Sequence, residues 1–145
     1  MYLDTAIIAK QYVKEPGSDT VRTFLARADS VISCSELTRM ELAATFHRKL
    51  REGQITKAQL SGLRTQFEMD VSGGRIHWLP LTHGLIESVE GIFHTLPSDV
   101  FLRAGDAIHL ATASEAGFKE IYSNDRHLLA AATLFKLKGI NPLAK

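Results

Sequence analysis

Short apolar segments with strand character alternate along this chain with longer segments of helical periodicity. Parallel strands need a crossover connection, usually a helix, whereas antiparallel strands can be joined by a tight turn. The alternation therefore predicts an α/β fold whose mainly parallel sheet is covered by helices on both faces. Four strands and a further C-terminal edge strand are predicted: Tyr2–Asp4, Ser30–Ser35, Ile76–Leu81, Glu120–Ser123 and Lys138–Leu143.

Turn and capping residues mark the ends of the predicted helices. Pro16-Gly17 is a strong turn signal, and Ser18 or Asp19 is expected to cap the helix that follows. Thr56 and Gln59 have the spacing of a capping box, in which each side chain binds the backbone N–H of the other. The predicted helices cover Thr5–Val13, the segment after Ser18, Leu37–Arg51, the segment after Thr56, the segment opened by Thr82, Val100–Ala116 and Arg126–Leu134.

The length and composition are those of a single soluble domain spanning residues 1–145. No apolar run approaches the roughly 20 residues that a membrane-spanning helix needs. Asp4, Lys10 and Lys14 interrupt the apolar stretch that a secretory signal would require. The lone cysteine, Cys34, excludes an intramolecular disulfide and is typical of a reducing compartment. We therefore expect a cytoplasmic protein with no membrane partner.

The charge balance neither announces nor excludes a nucleic-acid partner. The chain carries 17 basic and 16 acidic residues, for a formal net charge of +1. If several acids gather in one metal pocket, however, the remaining surface is left with an excess of positive charge. Such a surface would allow a polyanion to approach.

Four acids stand at positions where an α/β sheet could gather them. Asp4 closes the first predicted strand and Asp125 follows the fourth, while Glu41 and Asp106 lie in the first halves of two helices. Ligands of open α/β sheets bind beyond the carboxyl ends of the strands. Clustered carboxylates repel one another unless a cation offsets their charge, and oxygen-only ligands favour Mg²⁺, Mn²⁺ or Ca²⁺ over zinc. Such a cation typically serves phosphate chemistry.

Three of these acids also have a purely structural interpretation. Asp4 and Asp125 are each placed to cap a helix N-terminus. Thr38 and Glu41 have the spacing of a capping box. Asp106 is harder to explain in this way, because it is predicted in the interior of a helix among small and apolar residues, where aspartate has poor propensity. A buried acid there needs a partner, and a metal ion would be a suitable one.

Four segments resemble the motif blocks of PIN domains, in the order of that family and over nearly the whole chain. Asp106-Ala107-Ile108-His109-Leu110-Ala111-Thr112-Ala113 is the most specific of them. More narrowly, the chain is similar to the VapC-type toxins of toxin–antitoxin pairs. The segments are Tyr2–Thr5, Leu37–Leu42, Asp106–Ala113 and Ser123–Asp125.

The resemblance implies a three-layer α/β/α fold and an endoribonuclease that hydrolyses RNA phosphodiesters with a water activated by Mg²⁺, for which Mn²⁺ can substitute. It also implies a homodimer and a cognate antitoxin that blocks the acidic site. Carried over by position, the metal ligands and catalytic residues are Asp4, Glu41, Asp106 and Asp125. Thr5 and Ser123 match small hydroxyl positions that orient the acids. Glu36 departs from the family pattern and is interpreted as a solvated charge or an N-terminal-turn charge.

Several neighbours are candidates for supporting roles. Arg103 and His109 stand three residues either side of Asp106, so each can share its helix face. Arg103 could pair with Asp106, bind substrate phosphate or be merely exposed. His109 could hydrogen-bond an acid or be a packed core histidine. Further candidates for phosphate contacts are Arg48, Lys49, Arg51, Arg126 and His127.

Two other classes of function remain open from the residues alone. The first is a phosphatase that uses Asp4 as nucleophile, but such sites want a second acid two residues later, where this chain has Ala6. The second is a non-catalytic protein-binding module in which the acids only cap helices. Metal titration distinguishes this binding module from a metal-dependent nuclease, because a true acid cluster gains thermal stability from a bound cation and helix caps do not.

Overall fold

A computed structural model describes residues 1–28 and 30–144, and in these ranges five strands form one sheet. All four strand pairings are parallel, and the strand order is β3-β2-β1-β4-β5. The strands are β1 (Tyr2–Leu3), β2 (Ile32–Ser35), β3 (Ile76–Leu79), β4 (Glu120–Tyr122) and β5 (Lys138–Ile140). The predicted fold class is confirmed. The predicted domain, 1–145, also includes Asp29 and Lys145, which lie outside the described residues.

Seven α-helices and one 3₁₀ turn connect the strands within the described ranges. None of these helices is long and apolar enough to cross a membrane. The helices are α1 (Thr5–Tyr12), α2 (Ser18–Arg27), α3 (Leu37–Arg51), α4 (Lys57–Ser72), α5 (His83–Thr95), α6 (Ala104–Glu115) and α7 (Arg126–Ala131), with the 3₁₀ turn at Ala132–Phe135.

The two faces of the sheet bury separate hydrophobic clusters. Successive residues of a strand point to opposite faces. Tyr2 accordingly packs with residues of α5, α6 and α7, whereas Leu3 packs with residues of α1 to α4. Because β1 is the central strand, both its residues are completely buried. The result is the expected three-layer α/β/α arrangement.

The sixth helix begins later than predicted. The predicted start was Val100, but α6 begins at Ala104. A turn closed by the bond from Val100 N–H to the Pro97 carbonyl (3.0 Å) precedes it, and Arg103 is extended at ψ 153°. Asp106 therefore lies in the first turn of α6 and not in a helix interior, and an acid in a first turn is favourable. The argument from poor helix propensity was wrong for this residue.

Two predicted caps are also wrong. Gly17, at φ +85°, is the cap of α2, and neither Ser18 nor Asp19 fills that role. The Ser18 hydroxyl instead closes the preceding turn, because it donates to the Val13 carbonyl (2.8 Å). Thr38 and Glu41 form no capping box, since the cap residue of α3 is Glu36, which makes no capping bond.

The other predicted helix starts hold. The capping box of Thr56 and Gln59 is complete, and the Thr82 hydroxyl accepts the Leu85 N–H (3.1 Å). Most strands are shorter than predicted by one to three residues, as is usual where the chain leaves a ladder. Glu36 is exposed at the start of α3, as expected, and also accepts the Leu81 N–H (3.3 Å).

Candidate active site

The structure brings the four predicted acids into one cavity of about 580 Å³ at the carboxyl edge of the sheet. Asp4 directly follows β1, and Asp125 is separated from β4 by two residues. The pairing of β1 with β4 sets these two acids beside each other, and it continues beyond the strand where Asp4 N–H donates to the Tyr122 carbonyl (3.1 Å). Glu41 enters the cavity from α3 and Asp106 from α6.

Asp4 is fixed by hydrogen bonds to both carboxylate oxygens. Oδ1 accepts the Ile7 N–H (2.9 Å) and so caps α1, while Oδ2 accepts the Ser123 hydroxyl (2.5 Å). The same Ser123 oxygen accepts the backbone N–H of Asp125 (2.9 Å). Burial raises the pKa of Asp4 above its ordinary value, against the opposing effect of the Ser123 hydrogen bond. Asp4 thus caps α1, as one interpretation predicted, and the same carboxylate lines the cavity.

Glu41 is held by a buried hydrogen-bonded chain. Its Oε2 lies 2.9 Å from Nε2 of His109 and also accepts the Thr5 hydroxyl. Nδ1 of His109 lies 2.9 Å from the Tyr2 hydroxyl. The hydrogen-bonding atoms of these side chains are all satisfied if the Tyr2 hydroxyl donates to Nδ1 of His109 and Nε2–H of His109 donates to Glu41. Burial alone would raise the pKa of Glu41, but the hydrogen bonds from His109 and Thr5 outweigh it and lower that pKa.

His109 therefore combines the two roles that the sequence left open. It is a packed core histidine, with only 3% of its surface exposed, and it is also a hydrogen-bond partner of a candidate metal ligand. Gly105 contributes to the same corner of the cavity, because a Cβ there would lie 3.0 Å from Oε1 of Glu41. A glycine at this position gives the Glu41 carboxylate its room.

Arg103 joins the other two acids. Its Nε donates to Oδ2 of Asp106 (2.7 Å), and its Nη2 donates to Oδ1 of Asp106 (3.1 Å) and also contacts Oδ2 of Asp125. Asp125 additionally caps α7, since its Oδ1 accepts the His127 N–H (2.8 Å). Burial would raise the pKa of Asp125, but Arg103 and the capping N–H groups outweigh it and lower that pKa.

The donor set has the chemistry that a hard divalent cation prefers, since the four candidate ligands offer carboxylate oxygens. Two of them already share the positive charge of Arg103. Within residues 1–28 and 30–144, however, no three His, Cys, Asp or Glu side chains are placed to hold a metal ion as they stand. Binding would therefore require carboxylates to turn away from their present partners, above all from Arg103.

Sequence reasoning missed one acid of the cavity. Glu15 lines it, and its carboxylate binds the ammonium groups of Lys10 (2.7 Å) and Lys49 (3.1 Å). No motif marks Glu15, which simply precedes the Pro16-Gly17 turn. Lys49 is consequently a buried ion-pair partner and not the phosphate contact considered for it, whereas Arg48 does line the cavity.

Comparisons with known proteins place the chain in a family. The PIN domain model matches residues 1–134, and the chain belongs to the PIN-domain family, which confirms the resemblance. It is 34% identical to Ribonuclease VapC46 of Mycobacterium tuberculosis (strain ATCC 25618 / H37Rv) over 117 residues, which are 81% of this chain and 76% of that protein.

Solved structures share the fold. The crystal structure of Mycobacterium tuberculosis VapC20, described as a Sarcin-Ricin loop cleaving toxin, aligns with a TM-score of 0.69 at 16% identity, over 90% of this chain and 93% of that one. A toxin–antitoxin complex from Klebsiella pneumoniae aligns with a TM-score of 0.65 at 16% identity, over 99% and 98%. At these identities the likeness concerns the fold.

Proposed function

We propose that this protein is a divalent-metal-dependent endoribonuclease and the toxin of a toxin–antitoxin pair. The observation that carries the proposal is the meeting of Asp4, Glu41, Asp106 and Asp125 in one cavity, although they come from four separate parts of the chain. Family membership and the relationship to a VapC ribonuclease support the same conclusion. The phosphatase alternative has no comparable support.

The four acids would hold the cation, for which we propose Mg²⁺, with Mn²⁺ as a substitute. When bound, such an ion supplies Lewis acidity at the scissile phosphate and lowers the pKa of the attacking water. Ser123 and the Ile7 N–H hold the Asp4 carboxylate in place, and Thr5 and His109 do the same for Glu41. These contacts preorganise the acids, which lowers the cost of gathering them around an ion.

Arg103 has a second use in this proposal. A guanidinium presents a planar fork of donors that matches phosphate as well as carboxylate. Once a metal neutralises Asp106 and Asp125, Arg103 is free to bind the RNA backbone. Its side chain is 52% exposed, so it can reach substrate without a change of fold. Arg48, which also lines the cavity, offers a further phosphate contact.

The proposed partners follow from the same site. The acidic cavity would be blocked by the cognate antitoxin, and a structural neighbour from Klebsiella pneumoniae is a toxin–antitoxin complex. A homodimer stays a prediction. For the substrate we propose a structured RNA with an exposed loop, because specific RNA recognition mostly targets unpaired bases.

Cleavage of a cellular RNA pool by the purified protein tests the proposal. Reactions with Mg²⁺, with Mn²⁺ and with EDTA are compared for the wild type, Asp4→Asn and Asp106→Asn. We expect discrete metal-dependent fragments, reduced about 10²–10³-fold in both variants, as for the loss of one charge-stabilising group. Asp19→Asn is the matched control, because Asp19 is exposed on α2 and outside the cavity.

Two results would count against the proposal. Fragments that persist in both variants would indicate a contaminating nuclease. The absence of fragments under every condition, with protein free of bound antitoxin, would favour the non-catalytic binding module. Folding of Asp106→Asn is checked by thermal unfolding, because this substitution relieves charge repulsion but also weakens the pair with Arg103.

A further inference from the structure

An aromatic pair, Phe101 and His127, lies close in sequence to two residues that line the acidic cavity, Arg103 and Asp125. Phe101 is 58% exposed, and its ring packs on the ring of His127 with centroids 4.4 Å apart and planes at 50°. Phe101 lies in the loop before α6, two residues from Arg103, and His127 lies in the first turn of α7, two residues from Asp125. The Arg103–Asp125 contact joins the same two segments, the loop before α6 and the start of α7, that carry the aromatic pair.

The position of Phe101 is set by its neighbour. Leu102 is half-buried and packs against the core cluster around α5 and α6, which anchors the loop. Phe101 belongs to neither core cluster of the described residues, and its ring remains largely open to solvent. A single exposed apolar side chain is ordinary on a protein surface. This one, however, forms an aromatic surface beside a candidate phosphodiester site.

Cations flank the aromatic pair. Nε of Arg126 lies 3.3 Å from Nε2 of His127, and Arg126 is exposed. Arg103, two residues after Phe101, is half-exposed and lines the cavity. Aromatic faces that stack unpaired bases, together with positive charges that follow the backbone, are the usual means of binding single-stranded nucleic acid. These two arginines make a polyanion the fitting occupant, and a purely apolar one the poorer choice.

We propose that Phe101 and His127 form a stacking subsite for an unpaired base of the RNA next to the cleaved phosphodiester, with Arg126 binding the adjoining phosphate. The inference rests on the proposed ribonuclease function and adds to it a recognition element outside the acids. The subsite selects for unpaired RNA, because a base inside a duplex cannot present its face to Phe101. It tolerates different bases, since every base has a face that can stack.

Binding of two labelled probes by fluorescence anisotropy tests the subsite. The probes are a short oligoadenylate and a ribose-phosphate oligomer of the same length without bases, both measured with Ca²⁺ in place of Mg²⁺ so that the acids are neutralised, with the probes checked for cleavage on a gel. Phe101→Ala should weaken oligoadenylate binding about 5- to 150-fold, the range expected for one stacked base. It should leave binding of the abasic oligomer unchanged. Phe101→Trp should retain binding of oligoadenylate.

Two further variants complete the comparison. Arg126→Gln should weaken both probes alike, because it removes a phosphate contact. Phe93→Ala is the matched control, since Phe93 is an exposed phenylalanine on α5, away from the cavity, and it should change neither probe. Equal binding of oligoadenylate by Phe101→Ala and wild type would overturn the subsite.

Sedimentation of Phe101→Ala tests whether Phe101 contacts a second copy of the chain and not RNA. If the variant changes from dimer to monomer relative to wild type, Phe101 contacts a second copy of the chain and the subsite proposal fails. If the wild type binds neither probe, the subsite proposal is also overturned. The proposed function is judged separately, by metal-dependent cleavage of the RNA pool. Cleavage by the wild type without any effect of Phe101→Ala on binding would leave the ribonuclease intact and reject only the subsite.

Discussion

Arg103 holds the carboxylate of Asp106 with two hydrogen bonds, from Nε at 2.7 Å and from Nη2 at 3.1 Å. The same guanidinium also contacts Asp125, so one cation serves two candidate metal ligands. The chain itself therefore neutralises half of the charge of the acid pair, and a divalent ion must compete with this arginine for the two carboxylates.

Removing Arg103 should make the protein depend more on metal. Arg103→Ala leaves two carboxylates without their cation, so we expect about 1 kcal/mol less stability in EDTA, the upper range for an exposed ion pair with bidentate geometry. The rise in melting temperature with millimolar Mg²⁺ or Mn²⁺ should be larger than in wild type, because the ion no longer competes with the guanidinium. Thermal unfolding measures both effects.

The control is Arg51→Ala, which removes an exposed arginine at the end of α3 whose guanidinium lies 3.9 Å from the Glu52 carboxylate. It should change neither the stability in EDTA nor the response to metal by much. Identical metal responses of Arg103→Ala and wild type would contradict the competition.

Ser123 should matter for stability far more than an ordinary serine. Its hydroxyl donates to Asp4 and accepts the N–H of Asp125, and it is completely buried. Ser123→Ala leaves both groups without this partner, at a cost of about 1–3 kcal/mol. Urea unfolding measures the loss. Ser72→Ala is the control, since that exposed hydroxyl donates only to the Met69 carbonyl, and equal effects of the two substitutions would refute the bridging role.

Gly105→Ala should separate activity from stability. Alanine favours a helix over glycine by about 1 kcal/mol, so the folded state should be as stable as wild type or more so. The added Cβ, however, would lie 3.0 Å from Oε1 of Glu41 and must displace that carboxylate. We expect a loss of RNA cleavage of at least several-fold without a loss of melting temperature.

Gly62→Ala on α4 is the matched helical control, because nothing lies within 4 Å of its Cβ position. It should raise stability and leave cleavage unchanged. Full cleavage by Gly105→Ala would show that Glu41 accommodates the methyl group at no cost to the reaction.

Glu15 should make part of the stability depend on pH. Burial would raise its pKa, but the contacts with Lys10 and Lys49 outweigh burial and lower that pKa below the ordinary 4.5. Its contribution is therefore complete above about pH 4.5 and is lost as the pH falls through the lower folded-state pKa. Glu15→Gln should cost about 2 kcal/mol at pH 7, between the values for exposed and buried pairs.

Unfolding of both proteins across this pH range is the measurement. The difference between wild type and Glu15→Gln should shrink as the pH falls below 4.5. A difference that stays constant to low pH would mean that the ion pairs contribute nothing and that only the shape of the side chain matters.

Most of the architecture was predictable because its helices and strands follow from local sequence patterns. The helix at Leu37–Arg51 has the bounds predicted for it, and the capping box at Thr56 and the cap at Thr82 are present. The start of α6 was not predictable from apolar periodicity, because the turn at Pro97 and the extended Arg103 interrupt a run that otherwise suits a helix.

The acids of the site and the residues beside them were predictable, but which of these residues holds which acid was not. Asp4, Glu41, Asp106 and Asp125 line one cavity, as the resemblance implied, although their roles toward a metal stay predictions. The partners that hold them, such as Ser123 for Asp4 at a separation of 119 residues, depend on tertiary geometry that periodicity does not encode. Glu15 was missed for the same reason, since only the fold turns it toward the cavity.

The pairing of β1 with β4 also determines when the proposed active site can first form. Asp125 follows Asp4 by 121 positions, so the two acids are both present only after β4 has been synthesised. A nascent chain thus carries an incomplete set of the four acids until Asp125 has been synthesised. On the proposed function, hydrolysis of RNA depends on completion of this sheet, and an antitoxin need only recognise folded molecules.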